Sequence, residues 1–144
     1  MALKGTYLLC IRVKETIEVK IGALGLTRFP CGRYIYVGSA LNSLEPRITR
    51  HIKTSRGEHN VTHWHIDYLL REPTTELEAA YFTEAPEKLE CEYASAVADH
   101  GTPVKGFGCS DCKCRSHLYR VEGFSFLEKM DLKKWVKGSP QLPE

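Results

Sequence analysis

The sequence of 144 residues lacks a long hydrophobic run and a strong excess of charge of either sign. No apolar segment approaches the ~18 unbroken apolar residues that a membrane-spanning helix requires. The apolar stretch in MALKGTYLLCIRVKE alternates with other residues, is interrupted by Arg12 and has no small-residue cleavage site, so we do not expect a signal peptide. These absences predict a cytoplasmic protein that has no membrane partner.

Internal repeats and low-complexity segments are also missing. The proportions of hydrophobic (42%) and charged (26%) residues are ordinary for a globular protein. A chain of this length can form one hydrophobic core but is short for two. We therefore expect a single domain over residues 1–138, followed by a frayed tail, SPQLPE, at 139–144. The oligomeric state stays open.

Cysteines are present, but disulfide bonds are not expected among them. The six cysteines lie at positions 10, 31, 91, 109, 112 and 114, in a chain for which we expect a reducing compartment. The segment CSDCKCRSH contains four soft ligands, Cys109, Cys112, Cys114 and His117, which could hold a structural zinc ion. Zinc ligands usually come in pairs separated by a longer loop, so the alternative is a hydrogen-bonded loop packed against the sheet.

Alternating apolar residues predict strands in the first 40 residues. GTYLLCIRV, TIEVKIG and RYIYVG each have the period of a strand, and KE between the first two is short enough for a hairpin. These segments predict a three-stranded antiparallel sheet. In RYIYVG the alternation places Tyr34 and Tyr36 on one face, and Gly38 is interpreted as the point where the backbone turns tightly beneath Tyr36.

The rest of the chain mixes helical and strand patterns. Leu44, Ile48 and Ile52 recur at helical spacing after a candidate N-cap, Ser43. THWHIDYLLRE predicts a short helix, TELEAAYF and SHLYRVEG predict strands, PEKLECEYASAVADHG predicts a helix that begins at Pro86, and FSFLEKMDLKKWVKG predicts a last amphipathic helix. The predicted fold class is α+β, a small and mainly antiparallel sheet flanked by helices.

Charges are divided unevenly along the chain. LEPRITRHIKTSRGEH, at 44–59, contains Arg47, Arg50, Lys53 and Arg56, whereas the segment 72–92 contains seven glutamates and one lysine. A basic helix beside an acidic segment suits a site that holds a phosphate on one side and a divalent cation on the other. The alternative is two ordinary solvated faces.

Two short motifs carry a family resemblance. Gly5-Thr6-Tyr7 and Tyr36-Val37-Gly38 resemble the paired signature of the GIY-YIG nuclease superfamily, in which an essential arginine follows on the next helix, as Arg47 does here. The blocks FPCGRYIYVGSA, RITRHI, HWHIDYLL, LECE and GFGCSDCKCRSHLY are similar to a small archaeal and bacterial branch catalogued as a domain of unknown function. This similarity spans roughly residues 5–122. The superfamily usually separates its tripeptides by a short hairpin, whereas Tyr7 and Tyr36 lie 29 positions apart.

The resemblance implies an endonuclease that hydrolyses nucleic-acid phosphodiesters, DNA in particular, with Mg²⁺ or Mn²⁺. The residues it implies as catalytic are Tyr7, Tyr36, Arg47, His51 and Glu90. Glu90 is the expected metal ligand and Glu92 the alternative, because residues two apart on a helix cannot both face the sheet. We expect Tyr7, Tyr36, Arg47 and Glu90 to converge in one surface pocket, since their elements should pack on one side of a single sheet.

The residue chemistry supports this expectation and leaves alternatives open. A glutamate can anchor Mg²⁺, a guanidinium group can grip a phosphate, and a tyrosine hydroxyl can position water. A non-catalytic module could instead bind nucleic acid through Arg47, Arg50, Lys53 and Arg56, and the cysteine segment could form a zinc-stabilised interaction domain. In HWHID, His63, His65 and Asp67 could ligate a metal, or the histidines could be half-buried residues bonded to backbone.

Overall fold

A computed structural model of the protein describes residues 3–59, 62–108 and 115–135. The strands are β1 (Gly5–Val13), β2 (Ile17–Ile21), β3 (Gly25–Phe29), β4 (Gly32–Ala40), β5 (Thr75–Glu84), β6 (Gly101–Pro103), β7 (Leu118–Val121) and β8 (Lys133–Lys134). The helices are α1 (Leu44–Ser55), α2 (His65–Leu70) and α3 (Glu90–Ala98), with short 3₁₀ helices at Gly22–Leu24 and Ser125–Lys129. The predicted α+β class is confirmed. Among the described helices, none has both the length and the apolar character needed to cross a membrane.

One antiparallel sheet organises the fold, with the strand order β6-β7-β4-β1-β5-β8. Strand β1 lies between β4 and β5, and Tyr7 is paired with Gly38 and Leu9 with Tyr36 across the β1–β4 ladder. Strands β2 and β3 form a separate hairpin. The predicted three-stranded sheet was therefore wrong. β1 is buried along almost its whole length, as is typical of a strand in the middle of a sheet, and its two edges pair with the long strands β4 and β5. The short β2 pairs with β3 instead.

Two apolar cores cover the two faces of this sheet. The first face presents alternate residues of β1 and β4, including Tyr7, Leu9 and Tyr36, to α1 and α2. The second face presents the intervening residues, including Leu8 and Ile35, to α3 and the 3₁₀ helix at Ser125–Lys129. We call these the first face and the second face. The alternation of side chains in strands thus assigns each residue of β1 and β4 to one core.

The C-terminal segment differs from its predicted helix. Only Ser125–Lys129 forms a 3₁₀ turn, and the chain then pairs with β5 through β8, where the amide of Trp135 donates to the carbonyl of Ala80. The aromatic ring of Trp135 packs against that of Phe82. The prediction of a last helix was wrong because the outer edge of β5 offers unpaired backbone groups and an apolar surface. The predicted tail at 139–144 lies outside the described residues.

Two smaller differences concern α3 and β6. The helix begins at Glu90 and not at Pro86, since the chain first follows the start of β1, where the amide of Ala85 donates to the carbonyl of Lys4. Strand β6, which pairs with β7, was not predicted, and its three residues are too few for a periodic pattern.

Candidate active site

A cavity of about 340 Å³ opens where β1 begins and β4 ends, and we call it the catalytic cavity after the catalytic role that the sequence predicts for some of its lining residues. Its lining includes four residues predicted from the sequence, Tyr7, Tyr36, Arg47 and Glu90. The remaining lining residues are Gly38, Ser39, His63, Trp64, His65, Lys88, Gly108 and His117. The fifth predicted catalytic residue, His51, lies behind Tyr7 and is fully buried.

Tyr7 and His51 form a buried pair. The hydroxyl Oη of Tyr7 lies 2.7 Å from His51 Nε2, within hydrogen-bonding distance. Burial raises the pKa of Tyr7 to about 12, although Arg47 nearby lowers it. Burial also lowers the pKa of His51 to about 3, an effect that Asp67 opposes and that Arg47 and Arg50 reinforce. Both side chains are therefore uncharged at neutral pH.

Gly38 allows Tyr7 to approach β4 closely. A Cβ atom at this position would lie 2.5 Å from Oη and 2.6 Å from Cζ of Tyr7. The interpretation of Gly38 as a tight turn was wrong, because it lies inside β4 and is paired with Tyr7. The glycine is needed for space: a methyl group would push the Tyr7 ring away from its position above the strand.

Tyr36 lies beside Tyr7 on the first face, with ring centroids 6.4 Å apart. Its ring packs edge to face against Phe107, and burial raises its pKa well above the ordinary value. Tyr36 therefore presents a neutral hydroxyl to the cavity, which can donate a hydrogen bond to a ligand.

Arg47 is held by two contacts on the rim of the catalytic cavity. Its Nη1 donates to the carbonyl oxygen of Ser39 over 2.9 Å, and its guanidinium carbon lies 4.4 Å from the centre of the Trp64 ring. The guanidinium carbon of Arg50 lies 4.1 Å from the same ring centre. These contacts restrict the orientation of Arg47, which also hydrogen-bonds to the side chain of Tyr7. A guanidinium group has five N–H donors, more than these contacts use, so it can also bind an anion.

Asp67 connects the side chain of Arg50 to the backbone of His63 and Trp64. It is fully buried, and its Oδ2 accepts hydrogen bonds from Arg50 Nη2 (3.0 Å), from the amide of His63 (2.8 Å) and from the amide of Trp64 (2.9 Å). The carboxylate thus fixes the segment that places the Trp64 ring against Arg47. The sequence indicated Asp67 only as a possible metal ligand, and its buried position makes a structural role the better explanation.

Glu90 reaches the catalytic cavity from the first residue of α3. Its carboxylate lies 3.7 Å from Lys88 Nζ and 3.7 Å from His117 Nδ1, and its side chain is 17% exposed. Glu92 is exposed and does not line the cavity. The expectation that all four elements pack on one side of the sheet was wrong, because α3 packs on the second face and only its N-terminal end reaches the cavity.

The residues predicted to bind nucleic acid separate into two groups along α1. Arg47 lines the catalytic cavity, and Arg50 forms a 3.0 Å ion pair with Asp67. Lys53 and Arg56 are exposed and lie outside the cavity lining. The helical spacing did not predict this division, which depends on where Trp64 and Asp67 pack.

Of the two histidines of HWHID, His65 has the backbone hydrogen bond that the non-metal alternative describes, and His63 shows none within the described residues. His65 Nδ1 accepts a hydrogen bond from the amide of Gly108 over 2.9 Å, and burial lowers its pKa. His63 is exposed at the cavity rim with its ring packed against Trp64. No cluster of three or more potential metal ligands occurs within residues 3–59, 62–108 and 115–135.

The predicted zinc ligands are only partly described. Cys109, Cys112 and Cys114 lie outside the described residues, whereas His117 is buried, with Nε2 at 4.0 Å from Cys91 Sγ. Zinc at this segment stays a prediction. His117, Lys88 and Ser39 are cavity residues that the sequence did not mark as catalytic, since each lacks a periodic or motif signal of its own.

The donor set of the cavity fits a hard divalent cation that retains water ligands. Mg²⁺ is commonly bound by one or two carboxylates together with waters and substrate phosphates. Glu90 supplies a carboxylate, and Ser39 Oγ is buried without a hydrogen-bond partner among the described residues. Glu90 alone meets the minimum of one carboxylate in this mode of binding.

Comparison with known proteins gives one informative result. No curated protein and no solved structure matches the chain. Residues 6–136 match a protein family whose description is Domain of unknown function DUF123. Because the match covers most of the chain, the protein belongs to the DUF123 family.

Proposed function

We propose that this protein is a metal-dependent endonuclease of the GIY-YIG type, which hydrolyses phosphodiester bonds in nucleic acid. The observation that carries the proposal is the arrangement of Tyr7, Tyr36, Arg47 and Glu90 around one cavity, although they come from four separate elements. Phosphodiester hydrolysis needs a positioned water, stabilisation of charge on the phosphate oxygens and a cation, and a phenol pair, a fixed guanidinium group and a carboxylate are groups that can supply or hold these.

Arg47 and Tyr36 bind the scissile phosphate in this proposal. The guanidinium group is oriented by the Ser39 carbonyl and the Trp64 ring, so little conformational freedom is lost when it meets a phosphate oxygen. The neutral hydroxyl of Tyr36 donates to the same phosphate. Both interactions strengthen as negative charge builds on the phosphate oxygens in the transition state.

Tyr7 orients the water that attacks phosphorus. Its Oη is fixed by His51 Nε2 and accepts a hydrogen bond from the water. As the water attacks, its proton passes to solvent, and the oxygen that leaves phosphorus takes up a proton from solvent. Since both members of the pair are neutral at neutral pH, they hold the water in place without placing a fixed charge beside the phosphate. Glu90 is the residue that would hold Mg²⁺ or Mn²⁺. When bound, the cation supplies charge neutralisation at the phosphate oxygens and lowers the pKa of water.

A cleavage assay tests this proposal. Purified protein is incubated with branched, nicked, abasic and single-stranded DNA, and with RNA, in Mg²⁺, in Mn²⁺ or in EDTA. We expect cleavage of at least one substrate with a divalent cation and none in EDTA. Tyr36→Phe should reduce the rate, whereas Tyr68→Phe serves as the matched control, because Tyr68 packs against the same core and lines neither the catalytic cavity nor the cavity that contains Tyr34.

The assay also separates the nuclease from a non-catalytic binding module. A protein that binds these nucleic acids with a Kd that depends on Arg47 but cleaves none of them in either metal would contradict the nuclease proposal. A rate that is equal in EDTA and Mg²⁺, or equal for Tyr36→Phe and the wild type, would indicate a contaminating enzyme and would also contradict it.

A further inference from the structure

A second cavity, of about 560 Å³, lies on the other side of the turn at 104–108 from the catalytic cavity. Three cations line it, Arg28, Lys105 and Arg120, and no aspartate or glutamate does. None of the three has an ion pair with a carboxylate within the described residues. We call it the basic cavity. Glu18 lies opposite Arg28 in the β2–β3 ladder but does not line the cavity, so the charged residues of the lining are all positive, and positive charge in a concave surface attracts anions.

The walls of the basic cavity are apolar. Its lining includes Leu24, Leu26, Pro103 and Val104, and Leu26 is 69% exposed. Leu26 is the one large hydrophobic residue with an exposed side chain among the described residues. A ligand with both an anionic group and an apolar surface would match these walls, and a nucleotide has both in its phosphate and its base.

The two cavities are neighbours on the first face of the sheet. Tyr34 lines the basic cavity and Tyr36 the catalytic cavity, and residues two apart on one strand are separated by about 7 Å. The turn forms the wall between them, with Lys105 on the basic side and Gly108 on the catalytic side. A nucleic-acid strand that crosses the catalytic cavity would therefore continue into the basic cavity.

We propose that the basic cavity binds an unpaired nucleotide next to the phosphodiester that is cleaved. Arg28, Lys105 and Arg120 contact its phosphate, and its base packs against Leu26. The base must be unpaired, since a base stacked in a duplex has its faces covered and cannot contact this wall. This inference rests on the proposed nuclease function but concerns binding, so it is tested without cleavage.

The first experiment measures binding of a labelled single-stranded oligonucleotide by fluorescence anisotropy in EDTA. The double variant Arg28→Ala/Lys105→Ala is compared with Lys129→Ala/Lys133→Ala, which removes two exposed cations outside both cavities. We expect Arg28→Ala/Lys105→Ala to raise Kd at least tenfold. The plot of the logarithm of the association constant against the logarithm of the salt concentration should also become less steep by about 1.4, since each phosphate contact on a single strand contributes about 0.7 to this slope. The control should change Kd less than twofold.

The second experiment tests the base contact. Leu26→Ala should weaken binding of the normal oligonucleotide several-fold and leave binding of an abasic oligonucleotide of the same length unchanged. If Leu26→Ala lost the same affinity for both oligonucleotides, or lost affinity for neither, the result would contradict contact with a base. A duplex that binds with the same dependence on Leu26 would contradict an unpaired nucleotide.

Failure of this inference can be told apart from failure of the nuclease proposal. If the wild type binds and Arg28→Ala/Lys105→Ala binds equally well, the basic cavity is not a binding site, whatever the cleavage assay gives. If binding depends on these residues but no metal supports cleavage, the basic cavity stands and the nuclease proposal fails. A wild type that binds no single-stranded oligonucleotide would overturn this inference, and the cleavage assay on the other substrates would then decide the nuclease proposal by itself.

Discussion

The two faces of the central sheet are built from the same strands but differ in polarity. On the first face, α1 and α2 bury His51 and Asp67 against the sheet, whereas on the second face α3 buries Ala94 and Val97. Three buried polar atoms on or beside the first face, His51 Nδ1, Asp67 Oδ1 and Ser39 Oγ, have no hydrogen-bond partner among the described residues. Such burial costs stability. Three further atoms of this kind among the described residues, in Thr6, Thr74 and Thr75, also lie outside the cavity lining, so of the six only Ser39 Oγ belongs to a residue that lines the catalytic cavity.

Tyr34 and Tyr36, which belong to the same strand, differ in the surroundings of their hydroxyl groups. Both are buried on the first face, but the hydroxyl of Tyr34 is satisfied by the Pro30 carbonyl, whereas Tyr36 lines the catalytic cavity. Residue type and periodicity are the same for the two, so only the surroundings of the hydroxyl distinguish a core tyrosine from a candidate site residue.

The largest effect is expected at Glu90, the carboxylate that reaches the cavity from the second face. Glu90→Gln retains the shape but removes the charge that would hold the cation, so we expect the cleavage rate to fall about 100-fold or more. Binding of nucleic acid should survive. Glu92→Gln, on the same helix but exposed, should cleave like the wild type. A dead Glu92→Gln beside an active Glu90→Gln would reverse the assignment of the metal ligand.

The next effect concerns Arg47, on the first face. Arg47→Ala removes a phosphate contact that tightens in the transition state, which should cost about 2–4 kcal/mol in activation free energy and also weaken binding. Single-turnover rates and anisotropy measure the two effects separately. Lys53→Ala, on the same helix and outside the cavity, should retain the cleavage rate. Equal rates for the two variants would remove Arg47 from the mechanism.

A smaller effect is expected from Gly38→Ala, which tests the close packing of the first face. The added methyl group would displace the Tyr7 ring, and small displacements of a positioned group typically reduce rates by about 10- to 100-fold. Circular dichroism should show a folded protein. Gly123→Ala is the control, because no atom lies within 4 Å of a Cβ at that position. A fully active Gly38→Ala would mean that the position of Tyr7 is unimportant.

The last effect concerns stability and not rate, and is a pH dependence that originates in His51. Its pKa is about 3 in the folded protein against 6.5 ordinarily, so the unfolded state takes up a proton first as the pH falls. The free energy of unfolding should therefore be unaffected by His51 above pH 6.5 and should decrease between pH 6.5 and 3. In this window the contribution of His51 to the slope is at most about 1.4 kcal/mol per pH unit.

Denaturant titrations of the wild type and His51→Gln between about pH 4 and 6 measure this slope. The variant should show a shallower dependence, whatever its absolute stability. Thr54→Val removes another buried polar group of α1 that does not titrate, and should keep the slope of the wild type. Parallel curves for His51→Gln and the wild type would show that His51 is not held neutral.

Much of the candidate site could be predicted from local sequence. Alternation assigns Tyr7 to one face of β1 and Tyr36 to one face of β4. Helical spacing places Arg47 and His51 on the same face of α1. Trp64, Asp67 and Ser39 could not be assigned in this way, since their importance depends on which neighbours fold against them. The same reason explains why Glu90 was expected from the wrong side of the sheet.

The sequence by itself determined the α+β class, the long strands β1 and β4, the helix α1 and the residue types of the site. These follow from periods of two and of 3.6 residues, which act over a few neighbouring positions. Only the tertiary structure decided that β1 pairs with β4 and β5, that the C-terminal segment adds β8, and that the end of α3 brings Glu90 to Tyr7. Strand edges and helix ends meet partners far away in the chain, and no local pattern specifies which of several compatible partners is chosen.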